Sequence, residues 1–133
     1  MGYTHLEFRA DYPRAQGEAG REVMARLTVA MRDAGFETAV PVAEDWGQAC
    51  TLSEGGIGLL LGCSAYAEYD DGWLCFVKGA KGNLKRLLQP KAAKAARQKA
   101  ALAMHATVAA DPRCRDLKWW TDDMGIGPLV DAQ

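Results

Sequence analysis

The stretch from Phe36 to Lys78 constrains this chain most. Apolar and polar residues alternate there in four short runs, and two of the breaks between runs carry turn chemistry. Phe36, Thr38, Val40 and Val42 share one side of the first run. Pro41 has no amide hydrogen to give to a ladder, which places that run at a sheet edge or a strand end. Trp46 to Ser53 and Gly56 to Ser64 flank Glu54-Gly55, and Asp70-Asp71-Gly72 leads into Trp73 to Lys78, so two hairpins follow one another. A period of two held through four runs is a strand signal, because successive side chains of a strand point to opposite faces. In the last run Trp73, Cys75 and Val77 alternate with Leu74 and Phe76, so both faces are apolar. That pattern fits a central strand covered on each side, or one that carries a subunit surface.

The flanking segments supply the rest of the architecture. Thr4, Leu6, Phe8 and Ala10 alternate with His5, Glu7 and Arg9, a half-buried strand. Glu18 to Ala34 has helical period, with Ala19, Val23, Leu27, Ala30, Met31 and Ala34 on one face and Arg21, Glu22, Thr28 and Arg32 opposite. Gly35 is the expected C-terminal stop, since glycine enters the left-handed region cheaply. Glu22 and Arg26 are spaced for a surface pair. Asn83 is placed to cap a short helical turn, Leu84 to Leu88, and Pro90 to open a longer helix ending near Ala110. That helix presents Ala93, Ala96, Ala100, Ala103, Met104 and Thr107 on one face and Lys91, Lys94, Gln98 and His105 on the other. Residues 114–120 read as a last strand, and the tail 121–133, with Gly125, Gly127 and Pro128, as irregular.

The predicted fold is therefore a single α+β domain over residues 1–133. It is a two-layer sandwich of a mainly antiparallel sheet and two amphipathic helices, in the order β-α-β-β-β-β-α-β. Two helices on one face leave the other bare. Residues as large as Trp73, Trp120 and Tyr66 argue against a bare face, so a homodimer is expected.

Targeting and redox signals point the same way. The segment MGYTHLEFRADYPR lacks the basic region and apolar run of a signal peptide, and GIGLLLGC (56–63) is too short to span a bilayer. Cys50, Cys63, Cys75 and Cys114 show no C-x-x-C spacing, which favours reduced thiols and no metal. Turns centred on Glu54-Gly55 and on Asp70-Gly72 would set Cys50 near Leu59, Cys63 near Trp46 and Cys75 near Tyr66, so that no three cysteines converge. The expectation is a cytoplasmic protein without membrane association.

Charge is unevenly spread along the chain. Net charge is −1, yet Gly72 to Ala110 holds eight basic residues and no acid, leaving eight basic against 17 acidic residues elsewhere. Such asymmetry suits a macromolecular partner or an anionic ligand. The anion candidate is the strand-to-helix turn with Lys78, Lys81, Gly82, Asn83 and Lys85. Its glycines are too closely spaced for a P-loop. A helix start contributes roughly 0.3–1 kcal/mol against the ~8 kcal/mol of micromolar binding, so the lysines would have to converge. Nucleic acid is disfavoured by a pI near 6.1 and by the lack of aromatic residues among the basic ones.

Catalytic constellations are absent from the pattern. His5 falls on the polar side of its strand and His105 on the exposed side of the long helix, and a lone surface histidine is far more often a solvated residue than a catalyst. The acid pairs Glu44-Asp45 and Asp122-Asp123 lie beside tryptophan, but neighbours on a strand point to opposite faces and do not form a dyad. An acidic, aromatic rim for a basic partner fits at least as well, beside the plainer reading of core tryptophans with solvated acids nearby, and the interaction candidates are Trp46, Trp73, Trp120, Lys91 and Lys94.

In size and in lacking a catalytic constellation the chain is similar to small accessory proteins such as secretion chaperones and toxin-immunity proteins, although secretion chaperones typically begin with a helix. The expected function is a non-enzymatic, macromolecule-binding module without cofactor, partnered by another protein or by its own copy. The alternative is a binder of a phosphorylated small molecule or nucleic acid through the basic segment 78–99. Third comes a small enzyme using Glu44 or Asp45 in a tryptophan-lined pocket.

Overall fold

A computed structural model describes residues 3–13, 18, 20–80, 88–121 and 126–127. Its elements are β1 (Tyr3–Arg9), α1 (Arg21–Asp33), β2 (Glu37–Thr38), β3 (Val42–Glu44), β4 (Gly47–Glu54), β5 (Ile57–Tyr66), β6 (Gly72–Gly79), α2 (Pro90–Ala110), β7 (Arg115–Thr121) and β8 (Ile126–Gly127). Among the described residues the fold is α+β, with two helices and one antiparallel sheet in the predicted order. The sheet runs β2-β4-β5-β6-β1-β7-β8, and β3 joins β2 along the outer side of β4. The eight strands thus fill seven positions, with β6 in the middle. Among the described residues no helix is long and apolar enough to cross a membrane.

The edge strand breaks where Pro41 removes a donor. Thr38 pairs with Leu52, the Ala39 amide donates to the Thr51 carbonyl, and pairing resumes at Val42 with Ala49. The β4–β5 turn is Gly55-Gly56, both with positive φ (57° and 84°), as a two-residue hairpin turn requires. This sets Cys50 opposite Leu61 and Cys63 opposite Gln48, two positions from the predicted register. The next hairpin closes at Tyr66 and Gly72, because Tyr69 makes its own turn bonds inside the loop. Cys75 consequently faces Cys63 and not Tyr66.

Both helices lie on one face of the sheet and against each other. The covered face carries Leu6 and Phe8 from β1, Trp73, Cys75 and Val77 from β6, Leu59, Leu61 and Cys63 from β5, Cys50 and Leu52 from β4, and Trp119 from β7, all buried. Onto it α1 sets Val23, Met24, Leu27, Thr28 and Met31, and α2 sets Ala96, Ala100, Ala101, Met104 and Val108. The alanines let α2 lie close to the sheet. Thr28, expected on the outer side, is buried because its hydroxyl donates back to the Met24 carbonyl (2.6 Å), which satisfies the polar atom locally. Glu22 and Arg26 do not pair with each other: Glu22 meets Arg113, and Arg26 reaches Asp111 at 2.8 Å. The tail expected to be irregular contributes Thr121 to β7 and the short β8, which pairs with Trp119 and Trp120. The predicted cap at Asn83 and the turn from Leu84 lie outside the described residues.

Candidate functional site

The register of the strands fixes what the open face, the one turned away from both described helices, presents. Val42, Ala49, Gly62, Phe76, His5 and Trp120 are successive cross-strand partners, so they form one row across β3, β4, β5, β6, β1 and β7. Thr51, Leu60 and Lys78 make a second row beside it. Ser64, Leu74, Glu7 and Lys118 make a third on the other side, and Glu44 and Gly47 lie at its β3–β4 end. The centre is aromatic. Phe76 meets Trp46 (centroids 5.6 Å) and His5 (5.7 Å), and its ring lies across Gly62, where an added Cβ would come within 2.1 Å of Cζ. Glycine here lets the ring lie flat along the sheet. Lys78 extends over the same ring, 5.5 Å from its centroid.

One end of this face is charged and internally neutralised. Glu7 is only 4% exposed; the Trp120 indole N–H donates to its Oε1 (3.2 Å), and the Lys118 ammonium is 3.9 Å from Oε2. Arg9 donates to Asp71 (2.8 Å), lies 4.0 Å from Asp116 and stacks over the Tyr69 ring at 4.7 Å. Arg115 also pairs with Asp71. The hydrogen bond from Arg9 holds the Asp71 carboxyl below the usual range. Between these groups lies a concavity of about 330 Å³, lined by Glu7, Arg9, Tyr69, Asp116, Leu117 and Lys118. Asp116 has φ 57°, a rare conformation for a non-glycine residue, next to the bulge where β1 and β7 slip register.

The predicted interaction residues divide. Trp46 (45% exposed) and the half-buried Trp120 belong to the open face. Trp73 does not: it is 0% exposed, its indole N–H donates to the Ala10 carbonyl (3.0 Å), and it packs edge-on against Tyr12, so it is a core residue. Lys91 and Lys94 are exposed at the start of α2, apart from the aromatic row. Of the predicted anion turn only Lys78 is described; Lys81, Gly82, Asn83 and Lys85 lie outside the described residues. Among the described residues, no carboxylate lies within 4 Å of Lys78, Lys91, Lys94 or Arg97, whereas Lys99 pairs with Glu54 and covers Phe36. Phe76, His5, Leu60, Leu74 and Gly62 are the residues sequence reasoning missed as site members. Their signal was the apolar character of both sides of the run 73–77.

A second polar cluster ties α2 to the loop after β1. Buried Asp111 (3% exposed) accepts from the Tyr12 hydroxyl (2.5 Å), from Arg26 and from the Arg113 amide (2.9 Å) and guanidinium. Arg113 above all, helped by Tyr12, holds the Asp111 carboxyl well below its usual range, and burial first, then Asp111, pushes the Tyr12 phenol up. Cys114 meets the Tyr12 hydroxyl at 3.5 Å, but burial raises its thiol and Asp111 adds to the rise. The spacing thiol–hydroxyl–carboxylate is thus electrostatically opposed to a nucleophilic thiolate and acts as a clamp. Cys63 and Cys75 touch at 3.0 Å as buried thiols, and burial holds the Cys75 thiol well up. His105, expected on the exposed side of its helix, is half-buried and accepts at Nδ1 from the Trp119 indole (2.9 Å). Among the described residues no three His, Cys, Asp or Glu side chains are grouped to hold a metal ion.

With this geometry in hand, comparison with known proteins shows that no family model matches the chain and no curated protein matches it significantly.

Proposed function

We propose that the protein is a non-enzymatic binding module whose working surface is the uncovered face of its sheet, and that its partner is a protein. The observation that carries this is the aromatic row at the middle of that face, with Trp46 and Phe76 stacked over the sheet on the side away from both helices. Aromatic side chains in a ring of polar groups are the usual anchors of protein interfaces. The charges flanking the row favour protein over nucleic acid. Arg9, Arg115 and Lys118 are each held by a carboxylate, so these three cations are not free to replace phosphate counterions. The test is affinity capture with cross-linking from cell extract. A partner kept by wild type and by a Lys91→Ala/Lys94→Ala variant, but lost by Trp46→Ala/Phe76→Ser, supports the reading. The reverse pattern removes it.

A second reading rests on Lys78, Lys91, Lys94 and Arg97, cations without a carboxylate within 4 Å among the described residues, which suit a phosphorylated small molecule or a nucleic acid. Thermal shift against a panel of nucleotides and inorganic phosphate tests it, because a ligand at 100 times Kd stabilises by about 2.7 kcal/mol. No shift from any member of the panel eliminates it.

A further inference from the structure

We infer that Cys63 and Cys75 form a redox-modification site: a peroxide oxidises this buried dithiol to a disulfide that ties β5 to β6 under the helices. The pair lies on the covered side of the sheet, so the inference holds whether or not the open face binds a partner. Register sets the geometry. Cys63 and Cys75 are direct cross-strand partners in a ladder that keeps one register from Leu59–Gly79 to Tyr66–Gly72. The Ala80 amide donates to the Gly58 carbonyl, which fixes the phase of that ladder. Leu59–Gly79, Leu61–Val77 and Cys63–Cys75 are thereby its non-hydrogen-bonded pairs. Cα atoms of such a pair lie about 4.5 Å apart, inside the roughly 4.4–6.8 Å that a disulfide spans. The two sulfurs already meet at 3.0 Å, closer than the ~3.5–4.0 Å at which carbon atoms pack, so the bridge asks little movement of either strand.

Neither remaining cysteine competes. The Cys50 thiol donates to the Ala39 carbonyl (3.2 Å), and Cys114 meets the Tyr12 hydroxyl at 3.5 Å. Access comes at the start of α1. A concavity of about 210 Å³ is lined by Tyr12, Glu18, Gly20 and Arg21 among others. A Cβ added to Gly20 would stand 3.4 Å from Cys63 Sγ, so that thiol lies directly behind a residue without a side chain. A local opening of the first turn of α1 admits a molecule as small as hydrogen peroxide. Burial holds the Cys75 thiol up, which leaves the first attack to Cys63. The Cys63 sulfur takes one peroxide oxygen, the O–O bond breaks, and the hydroxide leaves as water with the Cys63 proton, giving a sulfenic acid. The Cys75 sulfur then attacks the Cys63 sulfur, the S–O bond breaks, and the second oxygen leaves as water with the Cys75 proton. Two thiols and one peroxide thus become one disulfide and two waters. Because the partner sulfur is already in contact, the sulfenic acid closes to the disulfide before a second peroxide can oxidise it further.

The experiment treats the full chain, folded and reduced, with a small excess of hydrogen peroxide, and then counts thiols in denaturant. The count should fall from four to two, with circular dichroism unchanged, and dithiothreitol should restore all four. Cleavage after Glu54, Glu68 and Lys78 should release residues 55–68 and 69–78 as one linked mass, lighter than their sum by two hydrogens. The same chain oxidised while unfolded should give mixed linkages that include Cys50 and Cys114, because only the fold selects the pair. Cys63→Ala and Cys75→Ala should each keep their remaining three thiols under peroxide, and Cys50→Ala/Cys114→Ala should still form the link. The peptide map of wild type decides the matter even if a variant fails to fold. Four thiols surviving in the folded chain overturn the inference. So does a link through Cys50 or Cys114, an oxygenated Cys63 beside an intact Cys75 thiol, or a loss of two thiols in folded Cys63→Ala.

Discussion

The two faces of the sheet are built from the same strands and differ in what lies over them. On the covered face, Leu6, Cys75 and Cys63 follow one another across β1, β6 and β5 under two helices, and all are buried. One residue along each strand, His5, Phe76 and Gly62 make the equivalent row on the open face, where His5 and Phe76 remain half-exposed and Gly62 lies under the Phe76 ring. The covered row stabilises the chain, whereas the open row keeps the rings of His5 and Phe76 outside that core, and the proposed binding surface rests on this difference.

The largest expected effect breaks the comparison on its covered side. Trp73→Ala should lose about 3–5 kcal/mol in denaturant unfolding, because it empties a fully buried site and leaves the Ala10 carbonyl without its donor. Asp111→Asn comes next, at about 2 kcal/mol, since it weakens charge-assisted bonds from Arg113, Arg26 and Tyr12. It also has a pH signature. Asp111 and Asp71 are held below the usual carboxylate range in the folded state, so their contribution is present above about pH 4 and is lost as pH falls through the folded values. Tyr12 and Cys75 are pushed up, so theirs is lost on the alkaline side, beginning near the ordinary phenol and thiol range of about pH 8.5–10. Stability measured against pH should be flat between, and Asp111→Asn should flatten the acid limb.

On the open side the effects on folding shrink. Gly62→Ala should cost about 1–2 kcal/mol, because its Cβ would displace the Phe76 ring and disturb the platform. Trp46→Ala should change monomer stability by less than about 1 kcal/mol, as expected for a surface residue, while weakening association far more. Equal stability losses for Trp73→Ala and Trp46→Ala would erase the distinction between the faces.

Strand alternation and helical period in the sequence were enough for the fold class and the element order. Pro41 marked the edge, and the alanines of α2 marked its buried side. Register was less accessible. The loop from Ala67 to Asp71 closes on Tyr66 and Gly72 through bonds made by Tyr69, and a count from the Asp-Gly turn misses them, so the Cys63–Cys75 contact was not foreseen. Trp73 and Phe76 show why the site was only half visible. Both are aromatic, three residues apart on one strand, and local sequence assigns neither to a side. Only the pairing of β6 with β1, which puts Trp73 beside Phe8 and Phe76 beside His5, decides that the first is core and the second is surface.

Hydroxyl-radical footprinting compared between free and partner-bound protein tests the proposed binding surface most directly. Protection confined to Trp46, Phe76, Leu60 and Leu74, with exposed Val29 on α1 and Leu102 on α2 unchanged, is the result this account predicts. Protection at Val29 and Leu102 with unaltered labelling of Trp46 and Phe76 would contradict it.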